Sequence, residues 1–118
     1  MNTRQKGTRT RTKCKELLKT MGWLIDVVEK TGKFNKETDM FGLFDLHSIN
    51  EDGFVNYIQV TCNRNHPHKK YQAFADKYGK PNIMVQQYVW IDRGGWVLFD
   101  YKPYKKYSKE IMYETEKT

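Results

Sequence analysis

The chain has 118 residues, 38% of them hydrophobic, with 21 Lys and Arg against 14 Asp and Glu and a formal net charge of +7. Its longest apolar stretches are only a few residues, far short of the about 20 that a membrane-spanning helix needs, and its two cysteines exclude a disulfide framework or a paired zinc motif. The sequence therefore predicts one domain over 1–118 with no membrane partner, in a reducing, cytoplasmic compartment (host-cell cytoplasm for a viral protein).

The first predicted element is an amphipathic helix from about Thr8 to Met21, preceded by a basic segment, 1–7. Apolar side chains recur at positions i, i+3, i+4 and i+7, and Gly22 follows as a stop signal: Cys14, Leu17, Leu18 and Met21. Among the first twenty residues only Glu16 is acidic, and on this periodicity it points away from the apolar face. The remaining faces are strongly basic, which favours a polyanionic partner.

Three strands are predicted next. They cover Trp23 to Val28, about Phe41 to Ile49, and Phe54 to Cys62, with Asn50-Glu51-Asp52-Gly53 as the turn that joins the last two into a hairpin. A second helix follows Pro67 and ends at Gly79. Two more strands, Ile83 to Ile91 and Trp96 to Tyr101, form a second hairpin, and Ser108 is a candidate cap for a short helix in the Lys- and Tyr-rich tail 103–118.

Asp45 is the most unusual residue for its place, because it lies inside the apolar run Gly42-Leu43-Phe44-Asp45-Leu46. If Ile49 pairs with Val55 across the turn, strand alternation places Asp45 opposite Gln59 and Leu43 opposite Thr61 on one face. A carboxylate, an amide and a hydroxyl would then meet near a strand end. Buried polar groups are hydrogen-bonded or bind a ligand, so Asp45 is either a ligand-binding residue, a cap for a backbone turn, or the partner of an arginine from the first helix.

The segments Asp39-Met40-Phe41-Gly42-Leu43-Phe44-Asp45-Leu46 and Tyr57-Ile58-Gln59-Val60-Thr61 resemble the PD-(D/E)xK nuclease superfamily, and within it proteins related to Holliday junction resolvases. The resemblance covers roughly Lys6 to Phe99. It implies an α/β fold with a restriction-endonuclease-like mixed sheet (helix, three strands, helix, two strands) flanked by helices. It also implies a Mg²⁺- or Mn²⁺-dependent endonuclease on branched or structured DNA, in recombination or repair, that works as a homodimer.

The chain departs from this family's motif at three places. The first acid falls on Asp45, but the second acidic position is Gln59, the lysine position is Thr61, and the helical glutamate falls near Arg11. By the resemblance, Asp45, Gln59 and Thr61 are the catalytic positions, and the metal ligands are Asp45, Gln59, the carbonyl of Val60 and, if the chain bends at Gly42, Asp39. The missing lysine charge has to come from elsewhere, and Lys69 and Lys70 are the candidates.

The basic residues of the two helices are the predicted nucleic-acid contacts. They are Lys6, Arg9, Arg11, Lys13, Arg64, His66, His68, Lys69 and Lys70. For His66 and His68, phosphate contact is a better interpretation than a metal site. In the tail, tyrosines are interspersed with lysines and either stack on bases, pack on the sheet or mediate dimerisation.

Two functions remain open at this point. One is the metal-dependent endonuclease, and the other is a catalytically degenerate nuclease-fold protein that only binds DNA or RNA, which the substitutions at Arg11, Gln59 and Thr61 favour. A basic protein that bridges other proteins has only the surface charge in its favour.

Overall fold

A computed structural model describes residues 3–27 and 41–113, with side chains for 8–27 and 41–112. Within them the chain forms two helices and six strands in the order α1 (Thr3–Thr20), β1 (Leu24–Val27), β2 (Leu46–Ile49), β3 (Val55–Cys62), α2 (His68–Tyr78), β4 (Ile83–Ile91), β5 (Gly95–Tyr101) and β6 (Ser108–Tyr113). No helix in these ranges is both long enough and apolar enough to cross a membrane.

Helix α1 begins earlier and ends slightly earlier than predicted. Cys14 and Leu18 are fully buried, as the apolar spacing predicts, but Met21 is half exposed because the helix has already ended. Gly22 adopts a φ of +91°, and the Trp23 N–H donates to the carbonyl of Leu18 at 3.1 Å. A residue with positive φ just past the last turn is the usual way to terminate a helix, so the glycine stop signal is confirmed. Glu16 points to solvent and pairs with Lys19 at 3.5 Å.

The strands form one sheet in which the spatial order equals the chain order, β1 to β6. All neighbouring pairs are antiparallel except β3 and β4, which are parallel. Helix α2 is the crossover that a parallel pair requires. The predicted register of the first hairpin is confirmed, because Ile49 pairs with Val55 and Leu46 with Ile58. The predicted mixed α/β sheet flanked by helices is therefore correct.

The two helices cover opposite faces of the sheet. On the α1 face, Cys14 and Leu18 pack with Ile58, Val60 and other strand residues. On the α2 face, the core contains Phe44, Tyr71, Ala75, Val85, Val89, Phe99 and Tyr101. Side chains alternate between faces along a strand, so in β3 the even-numbered residues face α1 and the odd-numbered residues face α2.

Two predicted elements are wrong. Ser108 does not cap a helix, because Ser108–Tyr113 is the edge strand β6, with Phe99 opposite Lys109. Its side chains do not alternate, because three polar residues precede Ile111-Met112-Tyr113. Ile111 and Tyr113 nevertheless belong to the residue types that strands favour. The strand predicted from Phe41 to Ile49 is only Leu46–Ile49, because 41–43 form a turn.

Candidate functional site

A turn brings the chain into the sheet just ahead of β2. Phe41 and Gly42 have φ of +58° and +72°, and two successive left-handed residues are typical of a tight turn. Asp45 then donates its N–H to the carbonyl of Ile58 at 3.0 Å, although the regular ladder starts only at Leu46. The predicted alternation through this segment is wrong: Phe44 packs on the α2 face and Leu46 on the α1 face, although they are two residues apart.

Asp45 and Gln59 meet at the backbone of Val60. The Val60 N–H donates to Asp45 Oδ1 at 3.1 Å, and Gln59 Nε2 donates to the Val60 carbonyl at 3.4 Å. The N–H and C=O of one strand residue point toward the same neighbouring strand. Both side chains therefore lie at the edge of β3, beyond Leu46, the first residue of β2. We call Asp45, Gln59 and Val60 the Asp45 corner; both polar side chains in it are buried.

Asp45 accepts the N–H of Val60 within β3, rather than capping a backbone turn as one of the sequence interpretations has it. Its carboxylate stands where a partner strand would offer a carbonyl to Val60. A half-turn of the Gln59 amide would exchange Nε2 for Oε1 and give the corner a second side-chain oxygen. The capping role and a ligand role are compatible, since a carboxylate has two oxygens and about four lone-pair directions.

Thr61, the third predicted catalytic position, lies on the same face as Gln59, two residues along β3. Its hydroxyl oxygen is buried and has no hydrogen-bond partner in the described part of the chain. The predicted pairing of Thr61 with Leu43 is wrong, since Leu43 lies in the turn outside β2. On the other side of β3, Thr61 pairs with Val89 of β4. It supplies a small polar group beside the corner and no positive charge.

Helix α1 contributes Cys14 to the neighbourhood of the corner. Burial, reinforced by the negative charge of Asp45, raises the pKa of the Cys14 thiol well above its ordinary value. The thiol therefore stays protonated and behaves as a small apolar side chain. The prediction that Cys14 fills the core is confirmed.

Beside the corner, Gln87 fixes the segment that leads into α2. Gln87 is the neighbour of Gln59 across the parallel β3–β4 ladder and is fully buried. Its Oε1 accepts the His66 N–H at 2.9 Å, and its Nε2 donates to the His66 carbonyl at 3.0 Å and to the Tyr101 hydroxyl at 2.8 Å. One amide thus satisfies both backbone groups of His66, as a neighbouring strand would.

Tyr71 closes the link from α2 back to the turn. Its hydroxyl donates to the carbonyl of Leu43 at 3.0 Å and lies 3.1 Å from His66 Nδ1. Because the single hydroxyl proton is directed to Leu43, His66 Nδ1 is the donor of the second bond. The turn before Asp45, the start of α2 and β4 are therefore connected by side-chain hydrogen bonds.

His68 is held in the fold by two tyrosines, and its predicted phosphate contact stays a prediction. Its Nδ1 lies 2.6 Å from the Tyr101 hydroxyl, and its ring stacks on Tyr107 with centroids 4.1 Å apart. Burial lowers the pKa of His68, which keeps the ring neutral at physiological pH. Burial also raises the pKa of Tyr101 to about 12, although the hydrogen bond from Gln87 opposes that shift.

The other predicted nucleic-acid contacts divide by exposure. Lys13 is half-buried, with its ammonium 3.4 Å from the centroid of the Trp90 ring, a cation–π contact that ties it to the sheet. Arg11 is also half-buried, while Arg9, Arg64, His66, Lys69 and Lys70 are exposed. The Lys6 side chain and all of Asp39 lie outside the described residues.

Among the residues whose side chains are described, no group of three or more His, Cys, Asp or Glu comes together. The candidate metal donors are therefore one carboxylate, one amide oxygen and one backbone carbonyl. All three are oxygen ligands, which Mg²⁺ and Mn²⁺ prefer, and Mg²⁺ typically keeps several waters and uses one or two carboxylates. The donor set fits such an ion with weaker electrostatic attraction than two carboxylates would provide.

Comparison with known proteins gives a fold likeness. No protein-family model matches the chain, and no curated protein matches it. Among solved structures, it is similar to Hjc of Archaeoglobus fulgidus, a Holliday junction resolvase from an archaeal hyperthermophile, with a TM-score of 0.55 and 17% sequence identity. The likeness covers 89% of this chain and 88% of the resolvase chain. The chain therefore has a resolvase-like fold over nearly its whole length.

Proposed function

We propose that this protein is a nuclease-fold endonuclease that binds branched or structured DNA and cleaves it with Mg²⁺ or Mn²⁺ at the Asp45 corner. The observation that carries the proposal is the convergence of Asp45 and Gln59 on the two backbone polar atoms of Val60. The proposal is supported by the contact of Asp45 and Gln59, which are separate in sequence, with the same strand residue, in a fold similar to that of a Holliday junction resolvase.

The oxygen ligands of the Asp45 corner determine how a metal ion would be held there. Asp45 would be the principal ligand, with the Gln59 amide oxygen and the Val60 carbonyl as neutral partners, and Asp39 is an additional candidate from the sequence. When bound, a divalent ion activates a water and neutralises charge on the leaving oxygen. Because the donors carry a single negative charge, we expect weak metal affinity.

The exposed cations suit the phosphate backbone. Arg64, Lys69 and Lys70 belong to the loop before α2 and its first turn, a region that Gln87 ties to β4 beside Gln59. Phosphate contacts fix register without reading base sequence, so the form of the DNA would be recognised. Lys69 or Lys70 would replace the ammonium that Thr61 cannot provide.

A second candidate function is nucleic-acid binding without catalysis. It is favoured by the absence of any three-residue metal-ligand group among the described side chains and by threonine at the lysine position. Under this proposal Asp45 serves only to cap the Val60 N–H.

The experiment compares a four-way DNA junction with a linear duplex of the same arm sequence, in Mg²⁺, Mn²⁺ or EDTA. The variant is Asp45→Asn, which keeps the oxygen that accepts the Val60 N–H, and the matched control is Asp52→Asn in an exposed hairpin turn. We expect metal-dependent nicking of the junction that falls about 100-fold or more in Asp45→Asn and is unchanged in the control.

Three results would change this conclusion. Salt-sensitive junction binding without cleavage by the wild type would establish the second candidate. Cleavage that survives Asp45→Asn would place the metal site elsewhere. Absence of binding to any nucleic acid at low salt would refute both candidates.

A further inference from the structure

A set of aromatic rings reaches the surface next to the Asp45 corner. Phe41 stacks on Phe74 with ring centroids 5.6 Å apart and an interplanar angle of 30°, and Phe74 contacts Tyr78 at 4.9 Å. Phe41 is 65% exposed and Tyr78 is 49% exposed. We call Phe41, Phe74 and Tyr78 the aromatic platform.

The backbone at Phe41 is unusual for such a residue. Its φ of +58° lies in the left-handed region, which bulky side chains rarely adopt. The next residue, Gly42, is also left-handed, with a φ of +72°. Such positions usually carry Asn, Asp or Gly. A phenylalanine here gains little burial, so its position in the turn displays a ring face to solvent.

The charge around the platform favours a polyanion. Lys70 and Lys77 lie on α2 four residues before and three residues after Phe74, and therefore on the same helix face. The Lys77 ammonium is 5.4 Å from the centroid of the Tyr78 ring. Two copies of this positive face would repel each other, whereas phosphates would be attracted.

Side-chain contacts connect the platform to the segment that leads into the corner. Tyr71 of α2 donates to the Leu43 carbonyl, and the Phe44 ring packs on Phe74 at 5.0 Å. Asp45 is only four residues from Phe41, so their Cα atoms are at most about 14 Å apart. A nucleotide held on the platform would lie within a few nucleotides of a phosphate at the corner.

We propose that the aromatic platform stacks on an unpaired base of the bound nucleic acid, so that the preferred substrate has unpaired nucleotides beside its duplex arms. This inference rests on the proposed function and specifies its substrate. Aromatic side chains beside cations are the usual device for holding unpaired bases, because every base offers a π face. A fully paired duplex offers no such face along its length.

The test measures binding of the full chain to two probes at low salt: single-stranded DNA containing 2-aminopurine, and the same strand fully paired. The variant is Phe41→Leu, which keeps an apolar side chain without a π face, and Phe41→Tyr is the rescue. The control is Leu24→Ala on β1, which removes exposed apolar surface without removing an aromatic ring, since Leu24 is 72% exposed.

We expect Phe41→Leu to weaken binding to the unpaired probe about five-fold or more and to reduce 2-aminopurine quenching. Duplex binding should change less than about two-fold, while Phe41→Tyr and Leu24→Ala should match the wild type.

Equal effects of Phe41→Leu on both probes, or none on either, would overturn the inference and leave the proposed function standing. If the wild-type protein binds no nucleic acid, both this inference and the proposed function are overturned. Sedimentation provides a separate check: a wild-type dimer that Phe41→Leu converts to a monomer would show that a second copy covers the platform, which would also overturn the inference.

Discussion

Replacing Gln87 by leucine should destabilise the protein more than any exposed substitution, because one buried amide makes three hydrogen bonds. It accepts from the His66 N–H and donates to the His66 carbonyl and the Tyr101 hydroxyl, at 2.8 to 3.0 Å. A typical intramolecular hydrogen bond contributes about 1 kcal/mol net. The loss should therefore reach about 3 kcal/mol, a large share of the 5–15 kcal/mol that domains of this size possess.

Urea denaturation followed by far-UV circular dichroism measures this loss, with an unchanged m-value as evidence that unfolding remains two-state. Tyr101→Phe removes one of the three bonds, so the double variant should show a coupling free energy of about 1 kcal/mol with Gln87→Leu. Thr12→Ala, on an exposed turn of α1, is the surface control and should stay within about 0.5 kcal/mol. A loss below about 1 kcal/mol for Gln87→Leu would refute the view that this amide holds the start of α2 in place.

Three further outcomes are expected. Asp45→Ala leaves the buried Val60 N–H unpaired and should lower the free energy of unfolding, measured by urea denaturation, by about 1–3 kcal/mol. Asp45→Asn keeps an acceptor oxygen and should lower it by less than about 1 kcal/mol. Equal losses for the two variants would contradict the capping role. The pKa of His68 is lowered from 6.5 by burial, so the unfolded chain binds this proton more readily. The free energy of unfolding should therefore fall as the pH drops below about 6.5, and His68→Gln should lessen that fall. If the variant and the wild type show the same pH profile, His68 does not cause the pH dependence. In Gly79→Ala the new Cβ would lie 2.6 Å from Pro103 Cγ and closer still to the Ala75 carbonyl oxygen, so thermal unfolding should show a loss of about 1–3 kcal/mol. A melting temperature equal to that of the wild type would show that this contact relaxes freely.

Much of the fold could be predicted from local patterns. Strand β4 has the predicted bounds, Ile83–Ile91, and the register of Ile49 with Val55 follows from the turn residues between them. These features depend on alternation and turn chemistry, which neighbouring residues determine. Strand β6 was mispredicted because an edge strand exposes most of its side chains and so lacks a clear apolar face.

The candidate site could be predicted only in part. Asp45 attracts notice because a carboxylate interrupts an apolar run, and Gln59 follows from the hairpin register. Gln87 carries the same signal, since Gln86-Gln87 interrupts the apolar strand Ile83–Ile91, but its partners are 21 and 14 residues away. Which distant backbone group a buried amide will satisfy depends on the tertiary packing, and no local pattern encodes that.

The agreement between strand order and chain order has a consequence for how the molecule assembles. Strands β1 to β3 and β4 to β6 are two contiguous antiparallel meanders, whose pairings are short-range except for β1–β2, where Leu24 pairs with Ile49. The β3–β4 ladder joins the two meanders. Short loops close quickly, whereas the parallel ladder must wait for the crossover helix. Since Gln59 belongs to one meander and Gln87 to the other, we expect the region around Asp45 to be completed in the last step of folding, after both halves have formed.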